Sequence, residues 1–283
     1  MKEEEQQMRK YLKGVFLVLG ICMVLGGKRT EVMAQTIREV EPNNSMEEAQ
    51  EVKSNGKTEL DFLKGNNEKE NGCVGDIKKG DEDWYKVYLS SEEESYFTLI
   101  FSGTVCVDIY DESGQPVLSE TAMARSSDDR VVYDVGISGS GLYYIHLSSQ
   151  SKVSNRYTFL IGNPMYKAAS TKMKAGVISL SPQAPQKTVE YVVTDNGVHE
   201  RGKVYQISIQ GMNYSNVSKI DMSYADSDSV ITKSSVGAMA SIKVPIDYNY
   251  GLDKKYFVTY YYGSSTRSFS PQYILYYVYP VLD

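Results

Sequence analysis

The chain is poor in the side chains on which much metal and redox chemistry depends. Its 283 residues include 2 His and 3 Cys, too few for an imidazole-rich zinc site or a multi-cysteine cluster. Basic residues are in deficit, 30 Lys and Arg against 36 Asp and Glu, for a net charge of −6. A nucleic-acid surface needs the opposite balance, so no nucleic-acid partner is expected. Long apolar runs are missing too. Gly14–Leu25 (GVFLVLGICMVL) falls well short of the roughly 20 residues of a membrane helix. No long stretch keeps a 3.6-residue apolar period, which argues against a helical bundle. HExxH, P-loop and dinucleotide-binding patterns are absent, and no Ser sits in a nucleophile elbow. The expectation is a protein that is not an enzyme.

The first residues read as an address. Arg9, Lys10 and Lys13 precede the apolar run, and Val32-Met33-Ala34 has the small-residue spacing of a cleavage site. Residues 1–34 are therefore expected to be a signal peptide, with Gln35 as the new N-terminus and no membrane span in the mature chain. Two rivals stay open: lipidation at Cys22, against which Ile21 stands in the preceding position, and an uncleaved anchor. Export leaves a net charge of −8 and two cysteines, Cys73 and Cys106. Oxidising surroundings permit a disulfide, but Cys106 lies in an apolar strand pattern that favours a buried free thiol.

Beyond the leader the apolar period is two. Tyr85, Val87 and Leu89 share one face, as do Phe97, Leu99 and Phe101, and Val105, Val107 and Ile109. Short strands separated by Gly, Ser, Asp and Asn turns predict an antiparallel all-β fold. Gly162-Asn163-Pro164 breaks the series, and Met165–Ala175, small and basic, reads as a boundary. A second strand series then runs from Gly176 to Tyr279. Two β-sandwich domains are expected, over 36–163 and 165–283, the second Ig-like. Ser45–Val52 is the one short stretch that reads as a helical turn or two.

Oxygen-bearing side chains cluster at two points. In Glu39-Val40-Glu41-Pro42-Asn43-Asn44, an extended backbone points Glu39 and Glu41 to one side, and the Asn43-Asn44 pair turns to add amides. Further on, Gly75-Asp76-Ile77-Lys78-Lys79-Gly80-Asp81-Glu82-Asp83 places Asp76, Asp81 and Asp83 around a glycine turn ahead of a strand. Hard oxygens in that number suit Ca²⁺, which takes about six to eight of them. The alternative reading is a solvated acidic rim with Asn43-Asn44 capping a turn.

These residues carry a resemblance. Glu-x-Glu-Pro-Asn-Asn-Ser with Ala49 after it, then Gly-Asp-Ile-x-x-Gly-Asp-x-Asp-Trp-Tyr, Gly-Leu-Tyr-Tyr-Ile-x-Leu and a closing Tyr-x-Phe-x-Ile appear in this order. The series resembles the bacterial pre-peptidase C-terminal domain and its relatives, the collagen-binding domains of clostridial collagenases, over about residues 36–163. The resemblance implies a jelly-roll-like sandwich of a secreted protein with a structural calcium ion. Glu39, Glu41, Asn43 and Asn44 match the N-terminal ligand segment, and Asp81 and Asp83, with Asp76, match the following turn. Asn44 stands where the relatives often have Asp, which removes a charge.

Fifteen of the 24 tyrosines follow residue 164. Tyr256, Tyr260 and Tyr262 share a strand face, and so do Tyr273, Tyr277 and Tyr279. Exposed, such ladders would stack on sugar rings or on a collagen-like partner; otherwise they fill the edge of a sandwich with hydroxyls reaching solvent. His146 is expected on a strand surface and His199 in a loop. Together these features predict a secreted or cell-surface binding or adhesion protein that engages an extracellular protein or polysaccharide. The second reading is an accessory chaperone, inhibitor or targeting subunit of a separately encoded secreted peptidase or other hydrolase.

Overall fold

The computed structural model describes residues 35–126, 129–174, 176–193, 199, 201–212, 217–234, 236, 239–266 and 268–282. The expected leader, with its cleavage point and Cys22, lies outside the described residues, as does most of the loop around His199. Among the described residues, no helix is long and apolar enough to cross a membrane.

Residues 35–162 form β1 (Gln35–Arg38), β2 (Gln50–Glu51), β3 (Asn71–Ile77), β4 (Glu82–Leu89), β5 (Ser95–Phe101), β6 (Thr104–Asp111), β7 (Pro116–Met123), β8 (Asp129–Val135), β9 (Gly141–Ser148) and β10 (Asn155–Gly162). They make two five-stranded sheets, β1-β3-β10-β5-β8 and β2-β4-β9-β6-β7. Two-residue alternation dictates the packing. Val87 and Leu89 of β4, Phe97, Leu99 and Phe101 of β5, and Val105, Val107 and Ile109 of β6 all enter one core. Tyr85 from one sheet meets Phe159 from the other at 4.9 Å between ring centroids. This is the first, jelly-roll-like sandwich.

The same alternation turns Cys106 outward, against the expectation of a buried thiol. Its neighbours Val105 and Val107 take the core, and Cys106 lies half-buried beside Thr121 while Cys73 is buried in β3. Both thiols are free. The expected helical turn near Ser45 is one 3-10 turn, Met46–Glu48, followed directly by β2. A short helix, α1 (Glu59–Lys64), was not legible in the apolar pattern. Thr58 and Asp61 close a capping box at its start, and Gly65 ends it at φ 68°, a backbone region that glycine enters at little cost.

The second sandwich comprises β11 (Met165–Lys174), β12 (Gln186–Val192), β13 (Lys203–Gln210), β14 (Val217–Tyr224), β15 (Val230–Ser234), β16 (Met239–Lys243), β17 (Lys255–Tyr262) and β18 (Gln272–Val281). Its sheets are β11-β18-β13-β16 and β12-β17-β14-β15, an Ig-like pair of four strands each. The segment read as a boundary, Met165–Ala175, is instead β11 over Met165–Lys174, paired along its whole length with β18. Its inward residues Ala169, Thr171 and Met173 are too weakly apolar to show a two-residue period, which concealed the strand. Gly176–Leu180, expected as a strand, makes a single bridge, Ile178 to Phe269.

The tyrosine ladders are neither an exposed platform nor an edge with solvated hydroxyls. Tyr256, Tyr260, Tyr273 and Tyr277 lie in the core. Tyr260 of β17 joins the sheets, with its hydroxyl 2.5 Å from Tyr191 and 2.5 Å from Tyr273. The Tyr256 hydroxyl donates to the Gly251 carbonyl at 2.5 Å. Strand alternation aims these rings inward, and hydrogen bonds among hydroxyls and to backbone make their burial tolerable.

Candidate metal centre

After β1 the chain passes from one sheet of the first sandwich to the other. β1 runs parallel to β3, and the Glu39 N–H extends the pairing to the Val74 carbonyl at 2.9 Å. Four residues later the chain has reached the other sheet, where the Asn43 carbonyl accepts from the Trp84 N–H at 2.8 Å. Gln50 straps this passage, accepting from the Val40 N–H and donating to the Arg38 carbonyl. The Glu41–Pro42 peptide within it is cis.

This passage brings Glu39 and Glu41 against Asp83, the second residue of β4. One carboxylate oxygen from each of the three lies within 4.8 Å of the others. Asp83 is fully buried, Glu39 half-buried and Glu41 exposed. Burial, with the Glu39 carboxylate beside it, pushes the Asp83 carboxyl up to about 9, the mark of negative groups crowded in a dry site.

Each buried carboxylate is held by one oxygen and leaves the other unbonded. Asp83 Oδ2 accepts from the Tyr157 hydroxyl at 2.8 Å, and Tyr157 in turn bonds Tyr85. Glu39 Oε2 accepts from the Asp76 N–H at 3.1 Å. Asp83 Oδ1 and Glu39 Oε1 are buried without a hydrogen-bond partner, as are both polar side-chain atoms of Asn43. Buried polar atoms are nearly always satisfied, so orphans gathered on Glu39, Asn43 and Asp83 call for a ligand. A hard divalent cation fits the three oxygens among them, the Asn43 Nδ2 being a donor that it would not satisfy.

Gly75 makes the close packing possible. A Cβ there would overlap Glu39 Oε2 and the Tyr157 hydroxyl. Tyr85, Tyr157 and Gly75 were not singled out as site residues from the sequence, although all three stand inside the quoted motifs. The signal was a tyrosine hydroxyl on each of two apolar strand faces.

The remaining expected ligands are placed differently. Asn44 is exposed and donates to Glu41 Oε2 at 3.3 Å. Asp76 is exposed on β3 and supplies its backbone N–H to Glu39, while its carboxylate stands outside the three-carboxylate group. Asp81 sits half-buried in the β3–β4 turn, its N–H bonded to the Lys78 carbonyl, and is also outside the group.

Other polar side chains lie apart from this group. His146 faces outward from β9, stacked on Trp84 at 4.4 Å between Glu82 and Asp108. His199 stacks on Tyr279 at 3.6 Å. A cleft of about 650 Å³ lies between the sandwiches, but its Arg201 is engaged by Glu94 and Tyr96 and its Lys203 by Glu59.

No family model matches the chain, and no curated protein matches it in sequence. Among solved structures, it is similar to a candidate secreted protein from Eubacterium rectale, at 14% identity and a TM-score of 0.50 over 86% of this chain and 84% of that one. A structure from an archaeal virus, described as a triple jelly roll fold, aligns at 12% identity and a TM-score of 0.27 over 73% of this chain and 59% of that one. The first of these likenesses shows a shared fold.

Proposed function

We propose that this is an exported, non-catalytic binding protein whose first sandwich holds a structural Ca²⁺ ion. The unbonded oxygens of Glu39 and Asp83, converging with Glu41 at the chain start, carry the reading. The unbonded Asn43 amide oxygen adds to this set, while Asn44, Asp76 and Asp81 border it. A bound cation neutralises the crowded carboxylates and staples the passage from β1 to β2 onto the head of β4. The resemblance to pre-peptidase C-terminal domains supports the same site. The similar fold of a candidate secreted protein supports export.

The resemblance, which implies a sandwich of a secreted protein, supports the binding role. The partner class is an extracellular matrix protein, a glycan or the cell wall. Retention of the purified chain on one of these surfaces is the expected result. Co-purification with a secreted peptidase or other hydrolase would instead mark it as an accessory subunit.

The cation is tested by thermal unfolding in excess Ca²⁺ and in chelator. Ca²⁺ at about 100 times its dissociation constant stabilises by about 2.7 kcal/mol, which raises the midpoint of a chain this size by roughly 5–10 °C. The double variant Glu41→Ala, Asp83→Asn is expected to melt alike in both buffers. Equal midpoints for the unsubstituted chain would refute the site.

A further inference from the structure

The excursion between β2 and β3 holds a lysine, an asparagine and a glutamate in contact. Lys57 keeps 13% of its side chain exposed and Glu70 keeps 10%, unusual for residues that seldom leave water. Lys57 Nζ donates to Asn67 Oδ1 at 2.7 Å and also bonds Glu70 Oε2. The Phe62 ring stands 5.8 Å from the same nitrogen.

Local structure holds the three together. The Lys57 N–H donates to Asn55 Oδ1, and its carbonyl accepts from Asn163 Nδ2. The capped helix α1 and the turn at Gly65 return the chain, with the Asn66 N–H on the Asp61 carbonyl. A further turn places the Glu70 N–H on the Asn67 carbonyl at 3.1 Å. The amine therefore lies against a carboxamide, one bond from its electrophilic carbon, with a carboxylate touching the same nitrogen. Such proximity, fixed by folding, converts a sluggish amine–amide exchange into an intramolecular step, and a carboxylate in reach supplies the proton transfers.

We propose that Lys57 and Asn67 join in an intramolecular isopeptide bond, with Glu70 as the proton carrier. The Lys57 ammonium passes a proton to Glu70. The freed amine attacks Asn67 Cγ, forming the C–N bond and a tetrahedral centre. Glu70 gives its proton to Nδ2 and takes one from the attacking nitrogen as the Cγ–Nδ2 bond breaks. Ammonia leaves with the electron pair of that bond and takes up the proton held by Glu70. One secondary amide and one ammonium ion replace one primary amide and one alkylammonium, with no oxidant or co-reactant. The link closes the excursion across α1, whose Glu59 pairs with Lys203 of the second sandwich. It is independent of the cation site.

The test is mass spectrometry of the purified chain. Trypsin cuts after Lys53, Lys64 and Lys69 but not after an acylated Lys57. The expected product is a branched peptide, residues 54–64 joined to residues 65–69, lighter than the sum of its parts by one ammonia. Cyclisation of an N-terminal glutamine such as Gln35 also loses ammonia, so the branched peptide decides the question rather than the intact mass. Lys57→Arg, Asn67→Ala and Glu70→Gln are each expected to abolish it. Cleavage after Lys57 in the unsubstituted chain, with residues 65–69 released free, overturns the proposal even if every variant fails to fold. A branched peptide surviving in Glu70→Gln overturns the role of Glu70.

Discussion

At the residue scale, the candidate metal centre turns on how Asp83 is held. Tyr157 fixes one of its oxygens and leaves the other buried without a partner beside Glu39 and Glu41. Removing that hydroxyl has two separable consequences. Tyr157→Phe leaves the Asp83 carboxylate and the Tyr85 hydroxyl short of a buried partner, at a cost of about 1–3 kcal/mol in chelator. It also frees Asp83 to turn, and loss of such an orienting contact costs about 10-fold or more in metal affinity. Chemical denaturation in chelator reads the first effect and calorimetric Ca²⁺ titration the second. Lower stability with unchanged affinity would show that Tyr157 serves packing alone.

At the element scale, β17 and β18 show what strand alternation does with tyrosine. Alternate rings of both strands enter one core, and their hydroxyls cross from sheet to sheet through Tyr191, Tyr260 and Tyr273. Tyr260 is the middle member. Tyr260→Phe strips a partner from both neighbours at once and is expected to destabilise by about 2–4 kcal/mol. Tyr191→Phe, at one end, removes a single bond and is expected to cost less. Equal midpoints for the two variants in a urea series would refute the ladder. The same alternation explains why the strands from β4 to β6 were legible by period, whereas β11 was not. The inward side of β11 is Ala169, Thr171 and Met173, small or polar apart from the methionine, so its own composition carries little signal.

At the scale of the whole molecule, charge pairs tie the two sandwiches. Glu94 lies just ahead of β5, and Arg201 of the second sandwich grips its carboxylate with Nη2, 2.8 Å from Oε1 and 2.7 Å from Oε2. The Tyr96 hydroxyl, first, and Arg201 hold the Glu94 carboxyl below its usual value of 4.5. A folded value depressed in this way contributes stability above pH 4.5, and that contribution is lost as pH falls through the folded value. The pair is largely exposed, so it is worth at most about 1 kcal/mol. Arg201→Gln is expected to lower the midpoint slightly at pH 7 and by less at the lowest pH at which the chain stays folded. A loss of equal size at both pH values would assign Arg201 to packing instead.

How much of this was legible beforehand follows from the range of each interaction. Composition and a two-residue period, both local, suffice for an all-β chain of sandwiches, because each strand must turn its apolar alternate residues inward. Glu39, Glu41 and Asp83 were likewise visible as oxygen donors from type and spacing. The sequence by itself could not say that Asp76 and Asp81 stay outside the group, that Gly75 clears room for Glu39, or that Tyr157 orients Asp83. Nor could it bring Lys57, Asn67 and Glu70 to one point. Those outcomes depend on which strand lies beside which and on how a capped turn of helix returns the chain. Only the tertiary structure decides them, because burial and contact between residues distant in sequence are properties of the packed sheets.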